Sequence, residues 1–101
     1  MNAPTGNITA EGLDDITTFM GPIPPEEYEL RRKIRVCRNC ATYKATVTTS
    51  ADARTLLWMI ATTATRWIYS PASVEELTEI TTFLRRLLIV ADQAEKVEAL
   101  S

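Results

Sequence analysis

One motif in the chain has residue types that could bind a metal or carry redox chemistry, the Cys-x-x-Cys pair formed by Cys37 and Cys40. A structural zinc site needs four ligands, and the chain has two cysteines and no histidine, so two chains would each have to supply a pair. A thioredoxin-like dithiol needs a βαβ context, which is absent here. On a helix, Cys37 would face the core and Cys40 its edge, as buried free cysteines commonly do. We predict structural thiols with no metal and no cofactor; a shared metal or redox centre is a third class of function.

The residues usually needed for catalysis are missing. Without histidine the chain lacks the common general base and the Cys–His and Ser–His nucleophile pairs. Glu75, Glu76 and Glu79 cluster at a predicted helix start, where capping and the helix dipole account for them. All three glycines lie in the first 21 residues, so the body contains no phosphate-binding loop. The sequence therefore predicts a protein that is not an enzyme, with no catalytic residues.

A basic stripe on the first predicted helix could contact phosphate groups or an acidic partner protein. It consists of Arg31, Arg32, Arg35 and Arg38. The sequence pI of about 5.1 and the lack of a helix-turn-helix spacing disfavour nucleic acid. The preferred interpretation is a solvated face that pairs with acids, since Glu27 is placed to pair with Arg31. A small DNA-binding transcriptional regulator that uses this helix is the alternative function.

Breaker residues divide the chain into an N-terminal arm, 1–23, and a helical body, 24–101. Four of the five prolines and all glycines fall by residue 25. Helices are predicted at about 25–46, 51–69 and 74–99, opened by Pro24-Pro25, by Ser50 and by a capping box from Ser73 to Glu76. The predicted fold is all-α, an antiparallel three-helix bundle with an extended N-terminal arm. A four-helix variant would add a short helix at 11–20.

Two helices carry more apolar surface than a lone three-helix bundle can bury. Eleven residues without charge separate Arg54 from Arg66. The apolar arc of the third helix covers close to half its circumference. We predict a protein–protein interface formed by Trp58, Thr62, Thr65, Tyr69, Phe83 and Val90. The alternatives are that the arm covers this face of the second helix, or that the face is exposed to solvent.

The arm contains a short amphipathic segment that could dock in a groove. Its apolar residues are Leu13, Ile16, Phe19 and Met20. Residues 1–29 carry six acids and no base, whereas residues 30–51 carry six bases and no acid. This segregation favours folding back within the chain or onto a neighbour. Exposed ion pairs are weak, so the apolar residues would determine the fit.

These features favour a small interaction or assembly protein. We expect a homo-oligomer, or a component of a larger protein assembly, that self-associates through the second and third helices. A phage structural or accessory protein, or a host-factor-binding adaptor, fits this description. Without a secretory signal or an apolar run of about 20 residues, we expect no membrane insertion and a cytoplasmic location, or a virion if the chain comes from a phage.

Overall fold

The computed structural model describes residue 16 and residues 21–100. This part of the chain forms three helices, α1 (Pro25–Val47), α2 (Ala51–Tyr69) and α3 (Val74–Leu100), and contains no strand. Each helix contacts the other two. The all-α prediction is confirmed, and the helix limits lie within one residue of those predicted. Residues 1–15 and 17–20 of the predicted arm, which include the docking residues Leu13, Phe19 and Met20, lie outside the described residues.

Local sequence signals account for all three helix starts. At α1, Pro24 and Pro25 precede Glu26 and Glu27, whose carboxylates favour the positive end of the helix dipole. At α2, the Ser50 hydroxyl accepts a hydrogen bond of 3.0 Å from the Ala53 amide.

The capping box predicted at α3 is confirmed in full. The Glu76 amide donates to the Ser73 hydroxyl at 3.1 Å, and the Ser73 amide donates to the Glu76 carboxylate at 2.9 Å. Two backbone donors that the helix leaves unpaired are thereby satisfied reciprocally.

The connection between α1 and α2 is short and tightly bonded. The Ser50 amide donates to the Thr48 hydroxyl at 3.1 Å, and the Arg54 guanidinium donates to the Thr48 carbonyl at 2.8 Å. Before α1, Gly21 has a φ of 75°, a left-handed conformation that glycine adopts without steric cost. Gly21 thus lies at the turn before α1, and the bonds to Thr48 hold the turn that follows it.

The core lies between the three helices and combines large aliphatic residues with many small ones. The fully buried large apolar side chains are Ile16, Ile34, Leu57, Ile60, Ile68, Leu77 and Leu84. Alanines at six further buried positions, among them Ala41, Ala64 and Ala91, let the helix backbones approach closely. From the N-terminal segment, Ile16 is buried in this core and the partly buried Ile23 packs against it.

Candidate functional site

Arg31 belongs to the predicted basic stripe but does not lie on the surface, because its side chain has no accessible area. Its Nε and Nη2 both lie 3.1 Å from one carboxylate oxygen of Glu27, so the predicted pairing is confirmed. Its Nη1 donates to the carbonyls of Trp67 at 3.1 Å and Ile68 at 2.9 Å. Arg31 thus binds carbonyls that the end of α2 leaves unpaired. Arg31 therefore does not belong to an exposed basic stripe in this structure.

Arg35 is also buried, which corrects its predicted place on the exposed stripe. Its Nη2 donates to the Tyr69 hydroxyl at 2.7 Å. Tyr69 was predicted to lie on an intermolecular surface, but its side chain is half-buried and its hydroxyl is bonded within the chain.

The other two arginines of the predicted stripe are partly accessible. Arg32 forms an ion pair of 2.9 Å with Glu29, and its hydrogen bond holds the pKa of Glu29 below the ordinary value. Arg38 donates to the side-chain oxygen of its neighbour Asn39 at 3.1 and 3.2 Å. Of the four arginines in the predicted stripe, only Arg32 and Arg38 are thus accessible for contact with a partner.

The exposed stripe of α2, which we define as Trp58, Thr62 and Thr65, is more apolar than its composition suggests. Trp58 is 46% exposed, and both threonines are exposed. The Thr62 hydroxyl donates to the Trp58 carbonyl at 2.9 Å, and the Thr65 hydroxyl donates to the Ala61 carbonyl at 2.8 Å. Because the hydroxyls are bonded to their own helix, the threonines present methyl groups outward.

On α3, three exposed apolar side chains repeat every seventh residue and form what we call the α3 row. They are Phe83 at 50% exposure, Val90 at 44% and Val97 at 65%. This spacing places them along one flank, next to the half-buried Ile80 and Leu87. The row extends the apolar face of α3 from the core out to solvent.

The predicted interface residues lie on two surfaces rather than one. Trp58, Thr65 and Tyr69 share a flank of α2, and the bond from Tyr69 to Arg35 places that flank beside α1. The α3 row faces the other way. On α3, Arg85 and Asp92 contact α1. Phe83 and Val90 each lie two positions before one of these residues, and side chains two positions apart point to roughly opposite sides of a helix.

The two cysteines lie as the sequence predicts, Cys37 buried and Cys40 half-buried. Burial raises the pKa of the Cys37 thiol, and the Arg85 guanidinium beside it acts in the opposite direction. Within residues 21–100, no group of three or more histidine, cysteine, aspartate or glutamate side chains is arranged to hold a metal ion.

A cleft of about 420 Å³ between α1 and α3 was not predicted from the sequence. Three cationic side chains line it, Arg32, Lys33 and Arg85. The remaining lining comes from Val36 and Leu88 together with both thiols. One helical turn beyond, the Lys44 ammonium lies 2.9 Å from the Asp92 carboxylate, and this bond raises the pKa of Lys44. No local signal in the sequence reveals the cleft, because its two walls come from distant segments.

In the part of the chain that the structure describes, none of the helices has the length and apolar character to cross a membrane. No protein-family model, no curated protein and no solved structure matches the chain.

Proposed function

We propose that this chain is a non-enzymatic assembly protein that binds a second copy of itself through the α3 row. The observation that supports the proposal is the exposure of Phe83, Val90 and Val97 on a helix whose opposite side already contributes to the core. Contiguous exposed apolar surface on a small protein more often marks a contact than an accident. The exposed stripe of α2 is the second surface available for the assembly.

The spacing of the row favours a second copy as its occupant. Phe83 and Val97 lie equally far from Val90, so two α3 helices packed in opposite directions would place each Phe83 against the other copy's Val97. Val90 would then lie at the two-fold axis, where a self-complementary contact repeats the same residues. A seven-residue apolar repeat is the spacing that a packed helix pair needs. The contact would also cover Ile80 and Leu87, and α3, with 27 residues, offers a length of about 40 Å.

The order of the helices is consistent with this use of α3. Arg31 near the start of α1 bonds the end of α2, and Arg54 near the start of α2 bonds Thr48, which supports an antiparallel pair. Lys44 meets Asp92, so α1 and α3 run side by side over their later turns. A three-helix bundle of this kind leaves the flank of α3 that points away from α1 open to a partner.

A lysine at the centre of the row should dissociate the assembly. Val90→Lys would place a charge at the desolvated two-fold axis, so the variant should sediment as a smaller species than the unmodified protein, which should sediment as a dimer or larger species. Ile89→Lys is the matched control, because Ile89 is 58% exposed on a different side of α3. Helical content by circular dichroism should be the same for all three.

Thr62→Lys tests whether the stripe of α2 takes part. We expect the variant to form a smaller species than the unmodified protein. Thr78→Lys, at an exposed threonine of α3 with the same hydroxyl-to-carbonyl bond, should leave the assembly unchanged. If the unmodified chain sediments as a monomer at concentrations near 1 mM, the proposal of self-association is wrong.

A further inference from the structure

The cleft between α1 and α3 takes no part in the proposed self-association, and its lining has a chemistry of its own. Lys33 lines it from α1 and Arg85 from α3, and Arg32 adds a third cation. Acidic side chains are not among the described residues that line it. The rest of the lining is apolar and consists of Val36, Leu88 and the thiols.

The positive charge of this cleft is only partly compensated. Arg32 is paired with Glu29 at its rim. Within residues 21–100, neither Lys33 nor Arg85 belongs to an ion pair, although both contribute to the cleft. Arg85 is exposed and Lys33 half-buried, so both can reach a ligand from solvent. An anion between them would gain charge-assisted hydrogen bonds beside an apolar surface.

We propose that the cleft binds a small organic carboxylate with an apolar body. The carboxylate would lie between Lys33 and Arg85, and the apolar part would lie over Val36 and Leu88. The volume of about 420 Å³ falls in the range of small-molecule sites, whereas a protein partner needs a far wider surface. The Lys44–Asp92 ion pair bounds the cleft one turn further along both helices, which limits the length of the ligand.

The first test uses 8-anilino-1-naphthalenesulfonate, an anionic fluorescent probe with an apolar body, and decanoate as its competitor. The probe should bind the intact protein and decanoate should displace it. The neutral analogue N-phenyl-1-naphthylamine should bind at least about tenfold more weakly, because it lacks the charge. Lys33→Gln and Arg85→Gln should each raise the Kd for decanoate about tenfold. Arg86→Gln, which removes a neighbouring exposed charge outside the cleft, should not.

A second measurement shows where the ligand lies. Trypsin cuts after Arg38 and Lys44, which separates Cys40 from Cys37, so alkylation of each thiol can be measured by mass spectrometry. Cys40 should react faster than Cys37, whose thiol is buried and has a raised pKa. Decanoate should slow the alkylation of Cys40 in the intact protein and in Val90→Lys alike.

Three outcomes would overturn the proposal. They are equal decanoate affinity in all variants, equal binding of the charged and neutral probes, and alkylation of Cys40 that decanoate does not change. Each can occur whether or not the chain self-associates, so failure here and failure of the proposed function are distinguishable.

Discussion

At the scale of single residues, Arg31 shows how a charge can be buried at a helix end. Its guanidinium meets one carboxylate and two backbone carbonyls, all from groups that would otherwise lose hydrogen bonds on burial. The carbonyls belong to the negative end of the α2 dipole, which favours a cation at that place. The Ser70 hydroxyl bonds the Arg66 carbonyl in the same turn, so the end of α2 is capped by side chains from two elements.

Replacing Arg31 by Met should lower the free energy of unfolding by about 3 kcal/mol. The methionine fills similar space but leaves the Trp67 and Ile68 carbonyls without their donor and Glu27 without its partner. Chemical denaturation measures the loss. Arg32→Met is the control, because its ion pair with Glu29 is exposed and exposed pairs contribute about 0–1 kcal/mol. Equal losses in the two variants would contradict a special role for the buried arginine.

At the scale of elements, short-range hydrogen bonds stabilise the first turns of α2 and α3. The capping box of α3 joins Ser73 and Glu76 directly, and the Ser50 cap of α2 adjoins a connection that is itself held by Arg54. These bonds link residues at most six positions apart. The starts of α2 and α3 therefore depend on local bonds, whereas the end of α2 also depends on Arg31 of α1.

Ser73→Ala and Glu76→Ala should each reduce stability by about 1 kcal/mol, the usual contribution of a helix cap. Because the two side chains bond each other's amides, the double variant should lose less than the sum of the single losses. Thr78→Ala, which removes an exposed hydroxyl further along α3, should change stability by less than about 0.5 kcal/mol. Strictly additive losses at Ser73 and Glu76 would mean that the box does not act as a unit.

At the scale of the whole molecule, the core is completed by a residue that precedes the three helices. Ile16 has no accessible surface and belongs to the same cluster as Ile34 and Leu57. The three long helices are rich in buried alanine, so a large side chain from outside them adds volume that they do not supply.

Ile16→Ala should destabilise the protein by about 3 kcal/mol through lost burial and the cavity that remains. The comparison is Ile89→Ala, an equal truncation at a side chain that is 58% exposed, where the loss should stay below about 0.5 kcal/mol. Thermal or denaturant unfolding measures both. A small effect at Ile16 would show that the helical body is stable without this contact.

Local signals made the helices predictable, and distant contacts made the sites hard to predict. Pro24-Pro25, Ser50 and the Ser73–Glu76 box each mark a helix start within a few residues. An analysis of hydrophobic periodicity counts arginine as polar and therefore predicts that Arg31 lies on the exposed side of α1. The carbonyls that accept its hydrogen bonds belong to residues 36 and 37 positions further along the chain. The cleft depends likewise on the alignment of α1 with α3, which no window of the sequence contains.

The two contacts between α1 and α3 also bear on how far the helices can slide past each other. Cys37 contacts Arg85, and Lys44 contacts Asp92. The second contact lies seven residues after the first on both helices. The buried Leu77, Leu84 and Ala91 repeat with the same step, so their spacing does not by itself distinguish alignments that differ by one repeat. Shifted one way, Lys44 would face Arg85, and two cations would repel each other. Shifted the other way, the Asp92 carboxylate would lie against the buried Cys37 thiol, and Lys44 would face Ala99. These two contacts therefore favour the observed alignment of α1 and α3 over one shifted by a repeat.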